Sequence, residues 1–213
     1  MSSDKSKSES KPIEANVKSA PTPAGPIRVT AASAQRSPTL FRQVDWITFG
    51  LTTLLVFIGY YLTLAPNLTL EDSGELATGS FYAGVPHPPG YPVWTIYTWL
   101  FTLIPFSNVA WRVALSSAVA GAFACGMVGL LVSRGSSLML EGIAELKDIE
   151  RRWESALCFV SGLVAGMLLG FNGFMWSQAI IVEVYTLSVL SFMAVLLVGL
   201  IYVWQKGVFN WND

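Results

Sequence analysis

Four apolar runs, at residues 46–65, 113–133, 156–176 and 184–204, carry no Asp, Glu, Lys or Arg. Each reaches the roughly 20 residues a helix needs to cross a bilayer. Within lipid a lone segment must satisfy its own backbone hydrogen bonds, so each run is read as a helix. The fold class expected is therefore an all-α polytopic membrane protein with four transmembrane helices. Tyr60, Tyr61, Trp111, Trp153, Trp176, Tyr185, Tyr202 and Trp204 lie at or near the run ends, where an interfacial aromatic belt forms.

The rest of the chain divides around these runs. Residues 1–40 are rich in Ser, Pro, Ala and Lys without apolar periodicity, and read as a disordered tail. The transmembrane domain is expected over residues 41–205, with an outer loop at 66–111 and an inner loop at 134–153. Basic residues favour the cytoplasmic side. Lys5, Lys7, Lys11, Lys18, Arg28, Arg36 and Arg42 precede the first run; Arg134, Lys147, Arg151 and Arg152 lie in the second loop; Lys206 follows the last run. Four spans place all three groups inside and leave residues 66–111 outside. A fifth span at 91–104 would reverse the second loop, and about 14 residues is short for a crossing. That stretch is expected to lie in the interface, as a second short helix after one at 70–82. The inner loop is expected to form an amphipathic helix through Leu138, Ile143, Leu146 and Ile149. Residues 206–213 form a short cytoplasmic end, and the chain reads as the N-terminal part of a larger membrane protein.

Composition excludes several functions. Only 13% of the 213 residues are charged and the net charge is -1, so no basic patch outside the tail suggests nucleic acid. Cys125 and Cys158 sit inside apolar runs and read as small buried hydrophobes. No spacing of four metal ligands occurs. Gly162, Gly166 and Gly170 recur at four-residue steps, a close-packing face in a membrane helix.

Polar chemistry is concentrated in the outer loop. Glu71-Asp72-Ser73-Gly74-Glu75 follows a possible N-cap at Thr69, so its acids fall in a first helical turn. Glu75 lies three residues from Asp72 and four from Glu71, which puts the three side chains on one side of a helix. Two readings stand: ordinary capping by acids, or a general base for an acceptor hydroxyl, kept ionised by the positive helix end. Pro86-His87-Pro88-Pro89-Gly90-Tyr91-Pro92 is a stiff elbow, since each Pro fixes φ and restricts its predecessor. It holds the only histidine, either as a rigid connector or as part of a site with Tyr91. Glu183 interrupts an apolar stretch at the outer mouth of the fourth span. A carboxylate at membrane depth is costly unless paired or wet, and is functional by default. Arg112 sits at the outer end of the second span against the charge rule, suited to a phosphate or to one of the acids. Asn67-Leu68-Thr69 is formally a glycosylation sequon but abuts the membrane.

Leu70-Glu71-Asp72-Ser73-Gly74-Glu75, His87-Pro88-Pro89-Gly90-Tyr91-Pro92, Trp111-Arg112, Trp176-Ser177-Gln178 and Glu183-Val184-Tyr185-Thr186-Leu187 occur in that order. The set resembles glycosyltransferases of the GT-C superfamily. Within it the match is to a protein O-mannosyltransferase-like family, formerly a domain of unknown function, over about residues 41–204. The resemblance implies a GT-C-like N-terminal half and transfer of a sugar, such as mannose, from a polyprenyl-phosphate donor to a protein or glycan acceptor. It implies a site on the extracytoplasmic face, in the plasma membrane of a bacterium or the endoplasmic reticulum of a eukaryote. It puts Asp72 at the catalytic acid position, with Glu75 and Glu71 beside it. His87, Tyr91, Arg112, Glu183 and Tyr185 are the expected substrate contacts. No bound cofactor is implied beyond the lipid-linked sugar and the bilayer, and the metal requirement is left open. The competing reading is a transporter or scaffold subunit. It calls for ionisable residues deep in several spans or for inverted repeats, and the sequence offers Glu183 alone.

Overall fold

The computed structural model describes residues 39–69, 72–88, 90–146 and 149–208. Of the expected tail over residues 1–40, residues 1–38 lie outside the described residues, as do Glu71 and the end beyond residue 208. The described elements are helical: α1 Gln43–Leu62, α2 Ser73–Phe81, α3 Pro92–Thr102, α4 Val109–Gly142, α5 Arg151–Gly170, α6 Gly173–Ala179 and α7 Tyr185–Gln205, with a 3-10 turn at Ala144–Leu146. α1, α4, α5 and α7 are long and apolar enough to cross a membrane. α3, at 11 residues, spans about 16 Å and cannot cross.

α4 is the axis. In its apolar stretch 67% of the residues are buried, against 6% in α7, which therefore lies on the flank. Small residues allow this: Ala114, Ser117, Ala118, Gly121, Ala122, Cys125 and Gly129 let neighbouring backbones come close. The glycine stripe of α5 does so most directly. A Cβ on Gly162 would lie 2.5 Å from the Gly129 carbonyl oxygen, and one on Gly166 would lie 2.7 Å from that of Cys125. Thr48, Thr52 and Val56 of α1 close the third side. Both cysteines are buried free thiols, as their apolar setting predicts.

Several expectations are corrected. The second span runs well past residue 133, and residues 134–142 continue α4 instead of starting a loop helix. Leu138 is buried on the bundle, Ile143 is the exposed cap, and among the described residues a 3-10 turn at Ala144–Leu146 stands in place of the expected amphipathic helix. The physical reason is Arg134. It is buried, donates to Ser137 Oγ at 3.2 Å, and lies 4.8 Å from the Trp204 ring, which extends the packed region by two turns. The run 156–176 is two helices. Asn172 ends the first and caps the second by accepting from the Phe174 amide at 2.8 Å. The first outer helix begins at Ser73, with Asp72 rather than Thr69 at its N-cap position. Tyr60 is not in an interfacial belt. It is fully buried and donates to the Gly170 carbonyl at 2.8 Å.

The two ends of the bundle are tied differently. At the end where α1 and α5 begin, Arg42 pairs with Glu154 at 2.6 Å and Ser133 Oγ donates to buried Asp45 at 2.6 Å. At the other end, the Ala65 amide donates to the Ile180 carbonyl at 2.8 Å and Tyr61 packs edge-on against Trp111. α2 and α3 sit over this second end. Ser80 and Thr98 join them at 2.7 Å, and Tyr97 donates to the Ser116 carbonyl of α4 at 2.9 Å.

Candidate active site

α2 buries Ser73, Leu76, Ala77 and Ser80, the 3.6-residue stripe facing the bundle. That phase leaves Asp72 and Glu75 exposed on the outer side, one turn apart. α3 repeats the arrangement. Pro92 opens the helix, Trp94 is 4% exposed, and Tyr91 stands one turn before it at the N-cap. Each helix thus offers two positions, and they meet partners in two neighbouring groups.

The first group is Asp72 with Glu183. Glu183 lies in the segment between α6 and α7, whose preceding residues Ile181 and Val182 are buried. Its backbone is fixed from two sides. Trp94 Nε1 donates to the Glu183 carbonyl at 3.2 Å, and Ser117 Oγ donates to the same oxygen at 3.1 Å. With the main chain held, the part-buried carboxyl stands within electrostatic range of Asp72. Burial first, and then the Asp72 charge, raise its pKa above the usual carboxylate value. Desolvation and like charge both disfavour ionisation.

The second group is Glu75, His87 and Tyr91. The Glu75 carboxylate accepts from the His87 backbone amide through Oε1 and meets His87 Nδ1 through Oε2 at 3.0 Å. The His87 ring, then its amide, hold the Glu75 carboxyl below the usual value. Tyr91 lies edge-on to His87, ring centres 6.1 Å apart. The elbow is rigid for stated reasons. The Gly90 amide donates to the His87 carbonyl at 2.9 Å, and Gly90 has φ +72°, where a Cβ would also strike Val85. Pro86 packs on Gly79 of α2.

Two clefts border the second group. One of about 410 Å3 lies between α2 and the elbow, lined by Gly74, Glu75, Thr78, Tyr82 and Pro86. The other, of about 250 Å3, lies between the head of α3 and α7, lined by Tyr91, Trp94, Val184, Leu187, Ser188 and Ser191. Among the described residues, no three His, Cys, Asp or Glu side chains converge as metal ligands.

The remaining expected residues fall elsewhere. Arg112 donates through Nη1 to the carbonyls of Thr102 (2.5 Å) and Ile104 (2.8 Å), tying off the end of α3. Its Nε donates to the Asn108 carbonyl at 3.3 Å, so its side-chain partners among the described residues are main-chain oxygens. Tyr185 is half exposed and packs on Phe174. Glu71 lies outside the described residues. Trp94 and Ser117 were missed by sequence reading. Trp94 lies in the short interfacial stretch and Ser117 inside a span, where their roles as carbonyl donors leave no mark.

Comparison with known proteins adds an independent line. The family described as the protein O-mannosyl-transferase TMEM260 N-terminal domain matches residues 72–210. A mouse relative, protein O-mannosyl-transferase TMEM260, is 33% identical over 130 residues, 61% of this chain and 16% of the relative. The Dictyostelium discoideum protein of the same name is 26% identical over 156 residues, 70% of this chain and 17% of that protein. The chain thus spans about a sixth of the length of these curated relatives. No solved structure matches.

Proposed function

This chain belongs to the protein O-mannosyl-transferase TMEM260 N-terminal domain family, and on that premise we propose that it carries the acidic centre of a membrane-bound O-mannosyltransferase. What supports the reading is that the Asp72 and Glu183 carboxyls lie within electrostatic range of each other, at the end of the bundle covered by α2 and α3. Two carboxyls in unlike environments divide the work of an acid and a base. Asp72, exposed at the head of α2, takes the proton of the acceptor hydroxyl. The acceptor oxygen then bonds to the anomeric carbon as the bond from that carbon to the phosphate oxygen breaks. Glu183, whose affinity for a proton is raised, donates a hydrogen bond to a sugar oxygen. Catalysis of this kind is mostly positioning and electrostatics.

The donor in this reading is mannose on a polyprenyl phosphate, a GT-C-type substrate. The cleft between α3 and α7 supports it. It is mostly apolar, begins beside Tyr91 and Trp94, and is walled by the least covered of the spanning helices. The acceptor is a protein Ser or Thr. The site faces away from the cytoplasm, since Arg42, Arg134, Arg151 and Arg152 mark the opposite end of the bundle as inside.

The test is mannosyl transfer from a polyprenyl-phosphate donor to an acceptor polypeptide, measured on the full-length protein. Asp72→Asn keeps size and hydrogen bonding but removes the base, so the rate should fall by about 10²–10⁴. Asn suits the N-cap position nearly as well as Asp, so full activity in this variant would end the base assignment.

A further inference from the structure

Glu75 uses both carboxylate oxygens on one residue. Oε1 accepts from the His87 main-chain amide and Oε2 meets Nδ1 of the ring. Since the carboxyl is held below its usual pKa, it is ionised near neutral pH. An ionised carboxylate only accepts hydrogen bonds. The hydrogen between Oε2 and the ring must therefore sit on Nδ1. In a histidine, the bond made by one ring nitrogen sets the state of the other.

We propose that Glu75 is a positioning residue for the transfer reaction, which holds His87 as the Nδ1–H tautomer and so presents Nε2 as the ring atom that meets substrate. This rests on the transferase reading above. In this tautomer Nε2 carries no hydrogen and accepts, so the proposed partner is a hydroxyl of the sugar or the acceptor. The clasp is a device for geometry more than for stability. Both side chains are substantially exposed, at 48% for Glu75 and 38% for His87, and exposed pairs add little to folding. What the clasp does is join a flexible-side-chain acid on α2 to an elbow whose backbone has already lost its freedom to Pro86, Pro88 and the Gly90 turn. Tyr91, at the head of α3, closes the other side of the ring. Main chain, ring plane and tautomer are then all fixed before substrate arrives, as a group that orients a reacting hydroxyl requires.

The test has two arms. Nitrogen-15 labelling of histidine in this chain reports one residue, because His87 is its only histidine. The spectrum should show hydrogen on Nδ1, and Glu75→Ala should release the ring to the other tautomer or to a mixture. An Nε2–H ring in the unaltered chain would overturn the clasp whatever the activity. The second arm compares His87→Gln with His87→Asn in mannosyl transfer by the full-length protein. Gln places its amide near the position of Nε2 and Asn near that of Nδ1. The Gln variant should therefore keep at least tenfold more activity, and Glu75→Gln should lower kcat by about 10- to 100-fold with KM little changed. The reverse order of the two His87 variants would overturn the assignment of Nε2 to substrate. A full-length protein that transfers no mannose, yet shows the Nδ1–H ring, would sink the transferase reading and leave the clasp standing.

Discussion

At Glu183, burial and a neighbouring charge act in the same direction, and this has a consequence for stability. The folded state holds the Glu183 proton more tightly than the unfolded chain, whose carboxyl has the ordinary value of 4.5. The folded form then binds more protons than the unfolded form above about pH 4.5, so this residue makes the protein less stable as pH rises through that window. Glu183→Gln removes the penalty. The thermal midpoint of the variant should exceed that of the unaltered protein at pH 7, with the gap closing near pH 4. An equal gap at both values, or none, would mean that the carboxyl is not strained by ionisation. Polar residues such as Glu183, Asp72 and His87 were legible in the sequence because an apolar chain makes each acid conspicuous. Asp45 and Arg134 were not, since cutting the spans at charged residues put both outside. Yet Ser133 and Arg42 satisfy Asp45 fully buried, and Trp204 shelters Arg134. Arg112 has partners that the sequence did not suggest. Its partners are the carbonyls of Thr102 and Ile104, and main-chain oxygens leave no mark on the sequence.

Among the elements, the four spans were readable from length and charge alone, but their ends were set by local contacts. The break at Phe171-Asn172 had a signal in Asn172-Gly173, a turn and N-cap pair, masked by the apolar residues on both sides. The α5 stripe was readable because glycine at four-residue steps has one dominant use in a membrane helix. Its physical content is a close approach that tolerates no methyl group. A Cβ on Gly166 would lie 2.4 Å from Thr52 Cγ2 and 2.7 Å from the Cys125 carbonyl oxygen. Gly166→Ala should destabilise the bundle by about 1–3 kcal/mol through overpacking. Gly50 of α1 meets nothing within 4 Å, so Gly50→Ala should be neutral or stabilise by about 0.5–1 kcal/mol through the better helix former. Thermal unfolding in detergent compares the two. Equal effects would show that α5 does not pack on α4 and α1 as described.

For the molecule as a whole, the spanning helices act as a rigid base and the short elements above them as the working layer. α4 holds α1, α5 and α7, and its first turns anchor α3 through Arg112 and Ser116 and the segment before α7 through Ser117. The segment before α7 then holds Glu183 within range of the Asp72 charge, 111 positions away in the chain, and the proposed centre joins the two. The sequence order of Asp72, His87 and Glu183 suggested a common membrane side, but not that Trp94 and Ser117 would clamp one carbonyl to make it so. If Asp72 and Glu183 form one centre, their losses should not add. The most direct measurement is a double-mutant cycle in mannosyl transfer by the full-length protein, with Asp72→Asn, Glu183→Gln and both together. Groups acting as a unit are grossly non-additive, so the double variant should be no more than about threefold slower than the worse single variant. A double variant whose rate falls by the product of the two single losses would contradict a shared site.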